Sequence, residues 1–495
     1  MDRIDRRLAA LAAVLLCGAV PALMDATMVN VAVEALAADL DGTLTDAQWV
    51  VTGYLLATTV GIPLVGWGLD RFGARALWTF ALALFAAGSA LCGVAWSLRS
   101  LVVFRIAAGL GGGLVLPLVQ AIIAAAAGPL RVGRAMLLLT VPGQFVMIRG
   151  PVFGGPISES LGWRWTFFSQ APLCAAAAVL GWWRVPSGRR NGSSRLDVVG
   201  FALLLPALVM LVHGLSSLRP EGVREVSTGA VAATAWGAPA TALPPSTWVL
   251  AGGVLLVGFV AHALRGRATP LLDLRLFARR SFAVAAALLF VTGLAMWAPL
   301  FLLPLFYQRV LGADALDAGL LLAPQALGTA LGMAAAGRLA DRAAAARPLI
   351  VAGTAFAVVA TLPFALAPRG VAGAALGAAL LARGFGLGVA HVPLMPLLYG
   401  GVERESIGQA TGLASVLQRC GAAFGTAALA VVLSAQLDAA AAGARGADPD
   451  ALAVAFGRTF WWVVAFTALA WVPAMVHRPL EAQRSASAGT RPHDR

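Results

Sequence analysis

The chain has 495 residues, 60% of them hydrophobic and 12% charged, with a formal net charge of +13. That composition excludes an ordinary soluble protein of this size, and recurring apolar runs of about 18 residues or more mark a polytopic membrane protein. All 36 cationic residues are Arg, which excludes a Walker A phosphate loop with its Lys, and they sit in short loops rather than in a nucleic-acid-binding patch.

Fourteen spans are predicted, at 8–33, 47–68, 76–96, 101–127, 135–158, 166–184, 197–217, 247–264, 281–307, 316–338, 347–367, 371–397, 407–436 and 457–477. With the N-terminus inside, twenty-four Arg fall on the inner side and eight on the outer side. That bias follows the positive-inside rule, places both termini in the cytoplasm and requires an even number of spans. The start, with Arg3, Arg6 and Arg7 before an apolar run, reads as an uncleaved first helix rather than a signal peptide. Cys17, Cys92, Cys174 and Cys420 lie in apolar runs without CxxC spacing and read as packing residues, not as a disulfide framework or metal site.

In span 1, Asp25 lies about 25 Å from the inner start at about 1.5 Å rise per residue. A carboxylate in hydrocarbon needs a partner, a proton or a water-filled cavity. Arg105 enters span 4 from the outer side, so both side chains are expected in the outer half of the bilayer. An Arg beside a buried Asp favours the ionised form while desolvation favours the protonated form, so a change in cavity access can move a proton. A static pair that fixes two helices is the alternative. On the same arithmetic Arg149 in span 5 lies about 21 Å deep, and Arg383 and Arg419 about 18 Å deep. These three are candidates for a cavity, or for bonding to backbone carbonyls at broken helices. His391, two turns past Arg383, is a candidate titrating group or a packing group; His213 in span 7 is a weaker one.

After span 2 comes Gly66-x-x-x-Asp70-Arg71-x-Gly73-x-Arg75, and after span 10 a shorter copy, Gly337 with Asp341 and Arg342. Asp70 ends a helix, opposes its dipole, and should meet a cation or another helix's N-terminus. Arg105 with Gly109, Gly111 and Pro117 in span 4 is echoed by Arg383 with Gly384, Gly386, Gly388 and Pro393 in span 12. Spans 1–6 thus repeat as spans 9–14, the architecture of transporters that hold substrate between two parallel halves. The units are 1–185, a linker with two inserted helices at 186–265, 266–477, and a disordered cytoplasmic tail at 478–495. The outer loop 218–246 reads as poorly ordered. Gly109-x-x-x-Gly113 and Gly150-x-x-x-Gly154 allow close helix approach, and Pro151 and Pro156 are expected to kink span 5. Trp461 and Trp462 read as interfacial or lipid-facing.

Six of these stretches resemble, in order, motifs of the major facilitator superfamily and its fourteen-span drug–proton antiporters of the EmrB/QacA type. They are Met24 to Ala32 in span 1, Trp49 to Ala57 in span 2, Gly66 to Arg75, Arg105 to Gly113, Gly150-Pro151-Val152-Phe153-Gly154-Gly155, and Trp163 to Phe168. The chain departs from the family pattern at Glu34, Ala108, Val146 and Arg149. The resemblance implies an all-α polytopic membrane protein with the major facilitator fold, two six-helix halves plus two inserted helices. It further implies a proton-coupled exporter of drugs or specialised metabolites, in the bacterial inner membrane, tied to multidrug and antibiotic resistance. Asp25 and Arg105 would couple protons, and Asn30, Arg149, Arg383, His391 and Arg419 would face the cavity. Asp70 and its neighbours, with the Gly337 copy, would form the cytoplasmic gate, and Gly150, Pro151, Gly154 and Gly155 the antiporter helix motif. The partners expected are a small organic substrate, protons and lipid, with no nucleic acid, in a monomer. The proton gradient serves as energy source, with no cofactor or metal. A proton-coupled importer and a non-transporting receptor or scaffold stay open beside this reading. A catalytic enzyme does not, since no nucleophile–base pair, metal cluster or phosphate loop is present. With one deep acid against four deep Arg, the substrate is expected to be neutral or acidic.

Overall fold

Prolines decide where several apolar runs stop being single helices. A proline has no N–H to donate and its ring crowds the preceding turn. In the computed structural model of the chain, which describes residues 6–40, 44–128, 131–187, 196–217, 244–265, 272–313, 315–337, 346–366, 373–400, 402–403, 406–443 and 449–476, the predicted span 47–68 divides at Pro63. It forms α2 (Leu44–Gly61) and α3 (Leu64–Phe72), and α3 continues through Asp70. The span 281–307 divides at Pro299 into α11 (Arg280–Trp297) and α12 (Pro299–Arg309). The span 316–338 divides ahead of Pro324 into α13 (Ala315–Leu320) and α14 (Ala323–Ala336), and 371–397 at Pro393 into α16 (Gly373–His391) and α17 (Leu394–Tyr399).

The remaining elements are α1 (Arg6–Asp39), α4 (Ala74–Gly93), α5 (Leu98–Ala127), α6 (Val132–Ser160), α7 (Arg164–Phe168), α8 (Gln170–Arg184), α9 (Val198–Ser217) and α10 (Pro245–Arg265). After a short 3-10 turn at Leu274–Ala278 and the helices named above come α15 (Ala346–Leu366), α18 (Ile407–Gly443), α19 (Pro449–Ala468) and α20 (Trp471–Val476). All regular structure among the described residues is helical. Pro151 and Pro156 do not interrupt α6, which runs unbroken past both. α5 starts on a reciprocal cap: Ser97 Oγ accepts from the Ser100 N–H at 3.2 Å, and Ser100 Oγ accepts from the Ser97 N–H at 3.1 Å. The two bonds satisfy donors that a helix start leaves open.

Ten helical segments among the described residues are long and apolar enough to cross a bilayer. The other four predicted spans are helical as α2–α3, α6, α7–α8 and α9. Trp461 and Trp462 are exposed.

Packing repeats along the chain. α1 packs on α6, α2 on α5, and α4 on α5 and α8; α11 packs on α18, α14 on α16, and α15 on α16 and α19. Between the two sets, α9 and α10 pack chiefly on each other. Glycines make the central crossings possible. A Cβ at Gly109 would lie 2.6 Å from the Tyr54 carbonyl oxygen of α2, and one at Gly111 would lie 2.6 Å from the Phe85 nitrogen of α4. Gly384 and Gly388 of α16 meet the α14 backbone at Gln325 and Thr329 in the same way. Backbones this close exchange dispersion contacts that larger residues would prevent.

Candidate functional site

The close crossing of α5 on α2 brings Arg105 against α1. Arg105 Nη1 donates to both oxygens of Asp25, at 2.8 and 2.7 Å, and Arg105 Nε donates to the Val50 carbonyl at 2.9 Å. Asp25 is 0% exposed and Arg105 1%. The guanidinium lies over the Tyr54 ring, 4.1 Å from its centroid, and 5.6 Å from that of Phe167. Gln170, at the first position of α8, donates through Nε2 to Asp25 Oδ1 and to the Thr166 carbonyl, both at 3.0 Å. The groups facing the carboxylate are therefore Arg105, Gln170 and the Tyr54 hydroxyl, with the Cys92 and Cys174 thiols further off. A buried ion pair is held together by such extra hydrogen bonds, because they offset the desolvation of both charges.

The second half uses a different chemistry at the corresponding crossing. Arg383 is buried; its Nη1 donates to Gln325 Oε1 at 2.7 Å and its Nη2 to the Ala295 carbonyl. That carbonyl is available because the residue four positions on is Pro299, which has no N–H to offer it. Arg383 pairs with no carboxylate among the described residues. It sits in the packing between α11, α14 and α16, the backbone-bonded alternative rather than an open cavity. The two arginines are also out of register. Gly109 and Gly113 face Tyr54 and Thr58, as Gly384 and Gly388 face Gln325 and Thr329. By that alignment Arg383 stands in the place of Ala108, three residues along from Arg105, and Gln325 in the place of Tyr54.

The loop motifs meet across the two halves. A Cβ at Gly66 would lie 3.0 Å from the Gln409 side chain in the first turn of α18, and one at Gly337 would meet Leu137 of α6. The glycine of each half thus packs on the other half. Gln409, in the first turn of α18, lies close to Asp70, and burial pushes the Asp70 carboxyl above the usual range. Gly73 closes α3 in the left-handed region, φ 80°, with its N–H on the Leu69 carbonyl at 2.9 Å. Arg71 is exposed. Arg75 turns away from α18: its Nε donates to the Val185 carbonyl at the end of α8, at 2.9 Å. It ties down its own half.

Arg419 lies partway along α18 and reaches the other half, where Nη1 donates to Thr58 Oγ1 of α2 at 3.4 Å. His391 ends α16 with its Nδ1 buried and unpartnered among the described residues. At the far end of α1, Asp39 accepts from Arg164 Nη1 at 2.6 Å and from Trp163 Nε1 at 3.1 Å. The Arg164 guanidinium holds the Asp39 carboxyl below its usual range. The side chains of Asn30, Arg149, Gly150, Pro151, Gly154, Gly155 and His213 lie outside the described residues, as do Asp341, Arg342, the tail and residues 218–243.

Sequence reasoning did not single out Gln170, Tyr54 and Gln325. Tyr54 stood in a quoted motif without a role. Gln170 and Gln325 are uncharged amides in apolar runs, and a polar residue that must be satisfied in hydrocarbon was the available signal.

The profile of the Major Facilitator Superfamily matches residues 15–426. A multidrug resistance protein B homolog of Mycobacterium tuberculosis is 33% identical over 438 residues, covering 88% of this chain and 78% of that protein. A putative multidrug resistance protein MdtD of Cronobacter sakazakii is 31% identical over 308 residues, covering 62% of this chain and 61% of that one. Among solved structures, the human organic anion transporter MFSD10 superposes with a TM-score of 0.59 at 17% identity, covering 94% of this chain and 96% of that one. The proton:xylose symporter XylE superposes with a TM-score of 0.54 at 16% identity, covering 93% and 94%.

Proposed function

The chain belongs to the major facilitator superfamily, and as a multi-pass membrane transporter of that family rather than an enzyme we propose that it is a proton-coupled antiporter exporting small organic molecules by alternating access. The observation that carries this reading is the buried Asp25–Arg105 pair, in which one guanidinium nitrogen meets both carboxylate oxygens. Protonating Asp25 discharges the pair and leaves Arg105 a buried cation without a counter-charge, which is strongly unfavourable. A protonated Asp25 therefore favours a packing of α1, α2 and α5 other than the one in which the pair is made. That dependence of packing on the proton is the thermodynamic link that exchange requires.

The reading extends to fourteen spans of the EmrB/QacA type, in a bacterial inner membrane, with both termini cytoplasmic. Asp70 with Gln409, and Gly66 and Gly337 with the opposite halves, then form the cytoplasmic gate. Names of multidrug resistance proteins among the relatives support an export role. In that role the protein acts as a monomer with the proton gradient as energy source.

Reconstituted vesicles under an imposed pH gradient test the reading. Asp25→Asn is expected to abolish pH-driven substrate movement, with facilitated exchange at equal pH retained. Asp25→Glu, which keeps a titratable group, is expected to retain part of it. Undiminished pH-driven transport by the Asn variant rules the assignment out.

A further inference from the structure

Arg419 is the charged side chain that crosses from the second half to the first in mid-helix. A guanidinium carries five N–H donors in a fixed fork. Among the described residues Arg419 uses one of them, in a long 3.4 Å bond to the neutral Thr58 hydroxyl. It makes no ion pair with any described carboxylate. Thr58 and Tyr54 are one turn apart on the same face of α2. The Tyr54 hydroxyl lies within electrostatic reach of Asp25, Arg105 and Arg419 together. Tyr54 therefore stands between the proposed proton-binding pair on one side and, on the other, a half-buried cation at the boundary of the halves that pairs with no described carboxylate.

The signs of these charges restrict what an exchanger can carry. A cationic substrate would meet Arg419, while Asp25, the deep acid, is held by Arg105 and sealed from it. An anionic substrate would be drawn to Arg419, but its binding and the protonation of Asp25 would help each other, since each offsets the charge the other adds. Mutual assistance moves proton and substrate in the same direction; exchange needs them to compete. Building on the antiport reading above, we infer that the exported substrate is uncharged and presents a hydrogen-bond acceptor, such as a carbonyl oxygen, to Arg419. A neutral acceptor satisfies the idle donors without adding charge beside the pair. Competition with the proton then comes through packing alone.

The test is a matched series on several aromatic scaffolds, each as methyl ester, carboxylate and trimethylammonium, in vesicles under a pH gradient. The esters are expected to be driven by the gradient in an Asp25-dependent way, and the two ionic members at least about tenfold more slowly. A hydrogen bond from a charged donor contributes about 1.5–3 kcal/mol, and Gln is both uncharged and too short to reach the same acceptor, so Arg419→Gln should raise KM for the ester about tenfold or more, with pH-driven transport retained. Arg419→Lys should recover part of the affinity, which separates lost recognition from misfolding. Preferred, Asp25-dependent exchange of the ammonium compounds, or an unchanged KM in Arg419→Gln, overturns the inference while antiport stands. Carboxylates that travel with the proton overturn both readings. If no compound responds to the gradient through Asp25, the antiport reading falls and the inference with it.

Discussion

The two halves solve one packing problem with the same backbone device and opposite electrostatics. In each, a glycine-spaced helix crosses its neighbour at backbone contact and buries an arginine beside the crossing. In the first half the arginine faces a carboxylate; in the second it faces the Gln325 amide and a carbonyl freed by Pro299. A carboxylate can be discharged by one proton, whereas an amide and a carbonyl do not titrate near neutral pH. The difference makes the first half a candidate switch and the second a fixed anchor. It also shows that a buried arginine by itself says little about function; its acceptor decides.

The largest effects come from breaking either arginine's set of bonds. Asp25→Ala leaves Arg105 unpaired and should cost about 3–5 kcal/mol, read as a fall in the thermal midpoint in detergent. Arg383→Met leaves two buried acceptors unmet, at about 1–3 kcal/mol each, yet should keep pH-driven transport. Loss of pH coupling in Arg383→Met would break the contrast between the halves.

Gln325→Glu sharpens the contrast by giving Arg383 a carboxylate. Arg383 is already a charged donor, so the variant sets charge pairing against the cost of burying a carboxylate, and stability at neutral pH should change by about 1 kcal/mol or less. Protonating the new carboxyl removes the pairing, so stability should fall at acid pH. Unfolding curves across acid pH would show a new acid sensitivity absent from the parent protein.

The smallest effect tests whether the first half's charge chemistry is confined to its interior. Asp39→Asn removes an exposed pair with Arg164, and such pairs contribute about 0.2–1 kcal/mol, less in high salt. Asp39 is held below its usual pKa, so its contribution is present above the unfolded value and fades as the pH drops through the folded one. Transport should not change. A transport defect in Asp39→Asn would extend the switch to the end of α1.

The Asp25–Arg105 pair was legible from depth arithmetic, because helices of known rise in a bilayer of known thickness leave few places for two charges. The contact of the loop motif with the other half was not legible in the sequence: Gly66 packs on Gln409 of α18, 343 residues on, a meeting that only the fold produces. The partner of Arg75 was not legible, since its long side chain reaches a carbonyl of α8 that is 110 residues away in sequence. The breaks at Pro63, Pro299, Pro324 and Pro393 were missed because the residues on both sides are equally apolar. α6 carries Pro151 and Pro156 and yet stays in one piece. Proline removes one hydrogen bond, and whether a helix divides there depends on what neighbouring helices offer in return.

By itself the sequence determined that this chain spans a membrane many times as helices, that its halves repeat, and that Asp25 needed a partner. Those conclusions follow from the cost of leaving polar groups unsatisfied in hydrocarbon, which depends on residue type and spacing alone. Only the tertiary structure decided which acceptor each arginine takes and that Tyr54 stands between Arg105 and Arg419. It also decided that Arg383 sits three residues out of register with Arg105. These depend on the rotation and depth of each helix against its neighbours, which glycine contacts and proline breaks set across the fold.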